Sequence, residues 1–123
     1  MKTILISGGK GNLATEILNV NKEHNIFAIS KNKLNVYDIN QLDKVVKKIK
    51  PDIFIHTAAL TRPMIKHINS PDDSIKNNII GTSNVVLTCI KYNIKLIYIS
   101  TDYVYPCIES NYSENSALFP VNE

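Results

Sequence analysis

Small residues near the start of the chain are spaced in a way that suits phosphate binding. The pattern Gly8-x-x-Gly11-x-x-Ala14 directly follows the apolar run Thr3–Ser7. Gly8 would permit a sharp turn, Gly11 would let the backbone approach a pyrophosphate, and Ala14 would let a helix pack closely on a sheet. A helix beginning here would also direct free N–H groups and the positive end of its dipole toward the phosphates. The pattern predicts a dinucleotide site, with a simple tight turn as the alternative.

A second informative position follows the next apolar run, Ile26–Ile29. Sites that prefer NAD place an acidic side chain here to hold the ribose 2′-OH, whereas the 2′-phosphate of NADP needs a donor or a positive charge. Ser30 and Lys31 occupy this position, and Lys33 follows closely. The sequence therefore predicts NADPH as the preferred cofactor, with NADH also accepted.

The remaining candidate groups predict little further chemistry. His24, His56 and His67 lack the spacing of metal ligands and have no acidic cluster beside them, so no metal site is predicted. His56 ends an apolar run and is interpreted as structural. Arg62 is interpreted either as a phosphate contact or as an exposed loop residue.

These residues require elements that position them, and the apolar pattern predicts alternating strands and helices. A helix capped by Asn40 and ended by Pro51 is expected, and Ser70-Pro71 is a strong start signal for another helix. Such alternation predicts a doubly wound α/β fold with about five parallel strands and ligands at their carboxyl ends. The expected strands are 3–7, 26–29, 34–36, 52–56 and 95–100, and the other helices are 12–20 and 72–92.

The helix expected over 72–92 has an apolar stripe, and the segment 57–69 before it is expected to be a loop. A stripe of this kind normally faces the core of a domain. Its members are Ile75, Ile79, Val86, Leu87 and Ile90.

Composition limits the class of protein. The chain has 123 residues, enough for one compact domain, and no run approaches the ~20 apolar residues of a membrane helix. No signal peptide is predicted, and Cys89 and Cys107 form no C-x-x-C motif, which favours the reducing cytoplasm. The net charge is only +3 and the lysines are scattered, so neither a nucleic-acid nor a membrane partner is expected.

Further segments fit one family. Thr57–Thr61 is similar to an N-A-A-x-x-T motif with Thr in place of Asn, Asn77–Thr82 is similar to a helix motif N-x-x-G-T, and Ser100–Tyr105 is close to S-T-D-Y-V-F. With the glycine spacing and the pair Asp38-Ile39, these segments resemble the extended short-chain dehydrogenase/reductase family. The last segment resembles its dTDP-4-dehydrorhamnose reductase branch. The resemblance covers the whole chain and implies a Rossmann-like NAD(P)-binding domain over 1–123.

The resemblance implies roles for single residues. Thr101 would bind near the keto oxygen of the sugar and help to tune the proton donor, and Asp102 would contact the sugar. The alternative is that Thr101 and Asp102 only start a loop through hydrogen bonds to backbone groups. The cofactor residues implied by the resemblance are Asn12 and Leu13 along the pyrophosphate, Asp38 and Ile39 beside the adenine, and Ala58, Ala59, Thr61 and Ile99 around the nicotinamide half.

The function that the resemblance implies is NADPH-dependent reduction of a 4-keto-6-deoxy sugar nucleotide. A nucleotide-sugar epimerase or dehydratase and a non-catalytic binding or regulatory protein are the alternatives. In the family, a Tyr gives the proton and a Lys four residues later lowers its pKa. None of the six tyrosines has Lys at that spacing. The segment resembling Pro120–Glu123 leads into this pair, so the domain is expected to be incomplete at its C-terminus, with a homodimer or a partner chain completing the fold.

Overall fold

The computed structural model describes residues 1–61, 63, 65–106, 108 and 110–120. In this part of the chain, one parallel sheet has the strand order β2-β1-β3-β4. The chain passes from β1 outward to β2 and then returns across β1 to β3, so the strand order reverses between β1 and β3. The strands are β1 (Thr3–Ser7), β2 (Asn25–Ile29), β3 (Ile53–His56) and β4 (Lys95–Tyr98).

Helices connect the strands. Three consecutive segments between β3 and β4 form a continuous helical stretch whose middle part is a π-helical turn, Ile75–Ile80. A short 3-10 turn, Asp102–Val104, follows β4. The α-helices are α1 (Asn12–Val20), α2 (Ile39–Ile49), α3 (Ile65–Asn69), α4 (Pro71–Ser74) and α5 (Gly81–Lys91).

The sheet is packed on both faces, which confirms the predicted doubly wound α/β architecture. Ile4, Ile6 and Ile55 pack with Ala14 of α1 on one face. The larger core lies on the other face, beneath α2 and α5. Because both faces are covered at the centre of the sheet, β1 and β3 are buried at consecutive positions rather than at alternating ones. The larger core is formed by Leu5, Leu34, Val36, Leu42, Val46, Phe54, Val85, Cys89 and Ile94.

The short strand expected over 34–36 does not form, so the described residues contain four strands rather than about five. The backbone there is satisfied locally, since the N–H groups of Lys33 and Leu34 both donate to the carbonyl of Ser30. Leu34 and Val36 are nevertheless buried. Their apolar character reflects a loop packed beneath a helix rather than a strand.

The predicted cap of α2 was wrong by two residues. Asp38, not Asn40, is the N-cap, and its Oδ1 accepts from the N–H groups of Asn40 and Gln41 at 3.0 and 3.1 Å. At the other end, Lys50 adopts a left-handed conformation before Pro51. Asp38 thus uses its carboxylate to begin the helix that follows the 34–36 loop.

The helical stretch begins at Pro71, as predicted, but the expected apolar face was wrong. Ile79, Leu87 and Ile90 are 61%, 60% and 72% exposed. Smaller side chains face the core instead, because this side of the helix approaches the 34–36 loop closely. A Cβ on Gly81 would lie 2.7 Å from Val36 Cγ2. The buried residues of α5 are Gly81, Val85, Thr88 and Cys89. The expected loop 57–69 also contains the short helix α3.

Candidate dinucleotide site

The turn after β1 requires glycine at its first position. Gly8 has φ +74°, a left-handed conformation that side chains disfavour. A Cβ there would also lie 2.9 Å from Thr57 Oγ1 and 3.0 Å from the Ala58 nitrogen. The Gly11 N–H donates to the Gly8 carbonyl at 2.8 Å and closes the turn. This geometry agrees with the sharp turn predicted at Gly8.

Gly9 is a structural requirement that the sequence pattern missed. Its N–H donates to the Ile29 carbonyl at 2.9 Å, which joins the turn to the end of β2. A Cβ at Gly9 would lie 2.4 Å from the carbonyl carbon of Ala28. The only local signal was the glycine pair itself, because Gly9 is a variable position in the dinucleotide pattern.

Helix α1 begins as a phosphate-binding helix should. Gly11 is its N-cap and supplies no side-chain hydrogen bond to the first turn. Asn12 and Leu13 follow and are exposed, while Ala14 is fully buried against the sheet. Uncapped N–H groups and the positive end of the helix dipole favour an anion at this position. The turn at 8–11 and the first turn of α1 together form what is here called the glycine cradle. The glycine cradle therefore fits the pyrophosphate of a dinucleotide.

The end of β2 carries a positive charge that is already held in place. Lys31 Nζ donates to Asn77 Oδ1 at 3.0 Å and lies 5.9 Å from the centroid of the Tyr37 ring. Ser30 is half-buried and follows the last residue of β2. Its carbonyl accepts hydrogen bonds from the N–H groups of Lys33 and Leu34, which turns the chain away from the sheet. No acidic side chain stands at these two positions.

A buried histidine links the ends of β1 and β3. His56 is 1% exposed, with Nδ1 2.7 Å from Ser7 Oγ and Nε2 3.1 Å from Thr82 Oγ1. Burial lowers the pKa of His56 to about 4, so the ring is neutral near pH 7. The Thr57 hydroxyl adds a bond to the Ser7 carbonyl at 2.6 Å. These contacts agree with the structural role predicted for His56.

The loop after β3 places the predicted nicotinamide-side residues beside the glycine turn. Ala58 is half-buried, and its N–H lies 3.4 Å from Ser7 Oγ, while Ala59 and Thr61 are exposed. Asn78 holds this loop by pairing with both backbone groups of Leu60, at 2.7 and 2.9 Å. The sequence marked Asn78 as part of a motif but did not show what it contacts.

The end of β4 carries the predicted substrate residues. The Ile99 N–H donates to the His56 carbonyl at 3.2 Å, and its side chain is partly exposed. Thr101 Oγ1 accepts from the Tyr103 N–H at 3.2 Å and lies 3.4 Å from Asp102 Oδ1. This is the local geometry expected if these residues start a loop, and their sugar-binding roles stay predictions.

Comparison with known proteins identifies the family of the chain. The profile described as RmlD substrate binding domain matches residues 1–123. The chain belongs to this family. Its fold matches a solved dTDP-4-dehydrorhamnose reductase from Bacillus anthracis, in complex with NADP, with a TM-score of 0.91 and 31% identity over 98% of this chain and 44% of that one.

Two curated relatives differ in name from that reductase. A dTDP-D-glucose 4,6-dehydratase of Dictyostelium discoideum is 42% identical in an alignment of 93 positions that covers 70% of this chain and 20% of the relative. A methionine adenosyltransferase 2 subunit beta of Bos taurus is 25% identical over 98% of this chain and 39% of the relative. The chain thus spans less than half the length of these relatives.

In this member of the RmlD substrate binding domain family, most predicted site residues lie at the carboxyl ends of the parallel strands. The turn at Gly8, the Ala58 loop and Ile99 follow three adjacent parallel strands. Ile39 is the exposed first residue of α2 and does not directly follow a strand. Just before it, the Tyr37 carbonyl accepts a hydrogen bond from the Asn84 amide at 3.1 Å. Arg62 lies outside the described residues.

The described residues of this family member form neither a metal-ion cluster nor a membrane-spanning helix. No group of three or more His, Cys, Asp or Glu side chains there could hold a metal ion. No helix formed by those residues is long and apolar enough to cross a lipid bilayer.

Proposed function

We propose that this chain forms the dinucleotide-binding part of an NADPH-dependent reductase that acts on a 4-keto-6-deoxy sugar nucleotide. The observation that carries the proposal is the glycine cradle at the start of α1 with Lys31 held at the end of β2. Similarity to the dTDP-4-dehydrorhamnose reductase from Bacillus anthracis, whose structure contains NADP, supports it.

In the proposed site, the residues of the chain bind and orient the cofactor. Gly8, Gly11 and the first turn of α1, with Asn12 and Leu13, would receive the pyrophosphate. Ser30 would donate to the 2′-phosphate and Lys31 would neutralise it. The bound cofactor would supply the hydride.

Other residues would complete the surroundings of the reacting groups. Asp38 and Ile39 would border the adenine, and the exposed surface of Ala58, Ala59, Thr61 and Ile99 would face the nicotinamide half. Thr101 and Asp102, exposed after β4, would meet the sugar. The Thr101 hydroxyl would matter most as charge develops on the keto oxygen.

Two alternatives each have one supporting observation. A sugar-nucleotide dehydratase or epimerase is supported by the 42% identity to a dTDP-D-glucose 4,6-dehydratase. A non-catalytic binding role is supported by similarity to a protein named as a subunit of a methionine adenosyltransferase. NADPH oxidation with a 4-keto sugar nucleotide, tested in a longer protein that contains this chain, distinguishes the reductase from both.

The cofactor part of the proposal is tested by titrating the chain with NADPH and NADH in a calorimeter at low salt. We expect tighter binding of NADPH, and we expect Lys31→Glu to weaken NADPH binding by at least about tenfold with little effect on NADH. Lys22→Glu is the matched control, because Lys22 is exposed near the opposite end of β2. Tighter NADH binding that Lys31→Glu leaves unchanged would contradict the NADPH assignment.

A further inference from the structure

Asn77 connects the π-helical turn to the end of β2. Its Oδ1 accepts from Lys31 Nζ at 3.0 Å, and its Nδ2 donates to the Asp73 carbonyl at 2.7 Å. A carboxamide has one acceptor end and one donor end. Because the Asp73 carbonyl takes the donor end, the acceptor end is directed at the ammonium group of Lys31.

The next residue along the helix has a different target. Asn78 pairs with the backbone of Leu60 in the loop after β3. Consecutive side chains on a helix point in different directions, so the adjacent asparagines of this π-helical turn can hold two separate segments. Of the two, only Asn77 is bonded to a side chain proposed to recognise the cofactor.

The hydrogen bond to Asn77 limits the movement of the Lys31 side chain but leaves its positive charge unpaired with any negative charge of the described residues. The ammonium group of a lysine is carried on a flexible chain of four carbons, and an exposed lysine side chain is normally mobile. Here the ammonium group is held by a neutral acceptor and lies over the Tyr37 ring at 5.9 Å. An ammonium has three N–H donors, so two remain for an incoming phosphate. A carboxylate at position 77 would hold the lysine equally well but would cancel its charge.

We propose that Asn77 is a positioning residue that raises the preference for a 2′-phosphorylated dinucleotide by holding Lys31 ready for the phosphate. The inference rests on the proposed function, because it requires Lys31 to meet the ribose end of the cofactor. Ordering a long side chain before binding removes part of the entropy cost of the contact. The benefit falls on the phosphorylated cofactor, because only that cofactor carries an anionic group at the ribose 2′ position for the ammonium to pair with.

The test is a double-mutant cycle of Asn77→Ala and Lys31→Met, with NADP⁺ and NAD⁺ affinities measured by calorimetry on the chain. We expect Asn77→Ala to lower the ratio of NADP⁺ to NAD⁺ affinity by about two- to tenfold, with NAD⁺ affinity unchanged. In the Lys31→Met background the same substitution should have no further effect on the ratio. Asn69→Ala, at an exposed position in α3, is the matched control.

A second variant separates positioning from general support of the helix. Asn77→Asp keeps the size of the side chain and an acceptor for Lys31, but it adds a negative charge. We expect a larger fall in the NADP⁺ to NAD⁺ ratio than for Asn77→Ala, with circular dichroism used to check that each variant is folded. A purely structural role would weaken both cofactors in parallel.

The outcomes distinguish the inference from the function on which it rests. A folded wild-type chain that binds neither dinucleotide would overturn both. Binding of NADP⁺ with a ratio that Asn77→Ala leaves unchanged, or that falls equally in the Lys31→Met background, would overturn the positioning role alone.

Discussion

At the scale of single residues, the turn after β1 uses adjacent glycines for different reasons. Gly8 needs its positive φ, whereas Gly9 needs the space beside the Ala28 carbonyl group. The spacing pattern predicted Gly8, Gly11 and Ala14, because their roles depend on the turn and on the helix that follows it. It missed Gly9, because the clash depends on the pairing of β1 with β2 rather than on neighbouring residues.

Gly9→Ala should therefore destabilise the chain more than Gly11→Ala. A Cβ at Gly9 would meet backbone atoms of β2 at 2.4 and 2.5 Å, and these atoms cannot move without disturbing the sheet. We expect a loss of about 1–3 kcal/mol in the free energy of unfolding, measured by urea denaturation. At Gly11 the nearest atom is the Gly8 carbonyl oxygen at 3.1 Å, so this variant is the control. Equal stability of the two variants would contradict the close approach at Gly9.

His56 should make the stability of the chain depend on pH. Burial lowers its pKa from the ordinary 6.5 to about 4 in the folded state, so the unfolded chain binds more protons between these values. The stabilisation is therefore fully present above pH 6.5 and is lost as the pH falls toward 4. The shift corresponds to roughly 3 kcal/mol.

Urea unfolding of the wild type and of His56→Asn at intervals from pH 4 to pH 8 checks this dependence. The variant has no titrating ring at this position and should show a flatter profile below pH 6.5, although it is less stable at pH 7. His67→Asn is the control, because His67 takes no part in the hydrogen bonds that His56 makes with Ser7 and Thr82. A wild-type slope that persists unchanged in His56→Asn would assign the pH dependence to other groups.

At the scale of elements, the helical stretch between β3 and β4 holds several segments at the carboxyl ends of the strands, where the candidate site lies. Asn78 holds the Leu60 loop, Thr82 holds His56, and Asn84 holds the carbonyls of Val36 and Tyr37. The sequence predicted the helix from its start signal and its apolar residues. The predicted buried face was wrong, because apolar residues lie on both sides of the helix and the core side is selected by the close approach at Gly81.

Asp43 joins α2 to α5 and should contribute stability that acid removes. Its carboxylate accepts from Lys47 at 2.7 Å, from Lys91 at 2.8 Å and from the Tyr92 hydroxyl. These bonds, above all the one from Lys47, hold the pKa of Asp43 well below its ordinary value of 3.8. The stabilisation is present above pH 3.8 and is lost as the pH falls below it toward the folded-state pKa.

We expect Asp43→Asn to lower the melting temperature at pH 7 and to reduce the further loss of stability below pH 4. Because the group is at the surface, the effect should shrink in high salt. Thermal melts at pH 7 and pH 3, each in low and high salt, check both statements. Glu23→Gln is the control for removing an exposed carboxylate. A melting temperature that Asp43→Asn leaves unchanged at pH 7 would show that the cluster adds nothing to the α2–α5 contact.

At the scale of the whole molecule, the apolar and polar pattern was sufficient to predict the parallel architecture but not its surface. Strand–helix alternation gave the sheet with helices on both faces. Among the described residues, the four-stranded order pairs β4 on one side only, with β3. The same end of the molecule exposes the apolar side chains of α5. Periodicity identifies such residues, but it cannot show whether another surface covers them.

These two features predict that the 123-residue chain associates with itself and lacks reductase activity. Leu87 and Ile90 are 60% and 72% exposed on α5. In the part of the chain that the structure describes, no strand pairs with the outer edge of β4, and such an edge offers N–H and C=O groups to another chain. Lys95 is the only charged residue of β4. Reductase activity is not expected, because no tyrosine in the chain has the lysine partner needed for a positioned proton donor.

Size-exclusion chromatography over a range of concentrations, with a hydrophobic dye, measures the association. We expect oligomers or aggregates and strong dye binding for the wild type, both reduced by Leu87→Lys with Ile90→Lys. Val20→Lys is the matched control, because Val20 is 71% exposed but lies on α1, which packs on the opposite face of the sheet. A monomer that binds little dye would show that the exposed face of α5 and the edge of β4 do not drive association. Reduction of a 4-keto sugar nucleotide by the same chain would show that its proton donor lies among residues not assigned to that role.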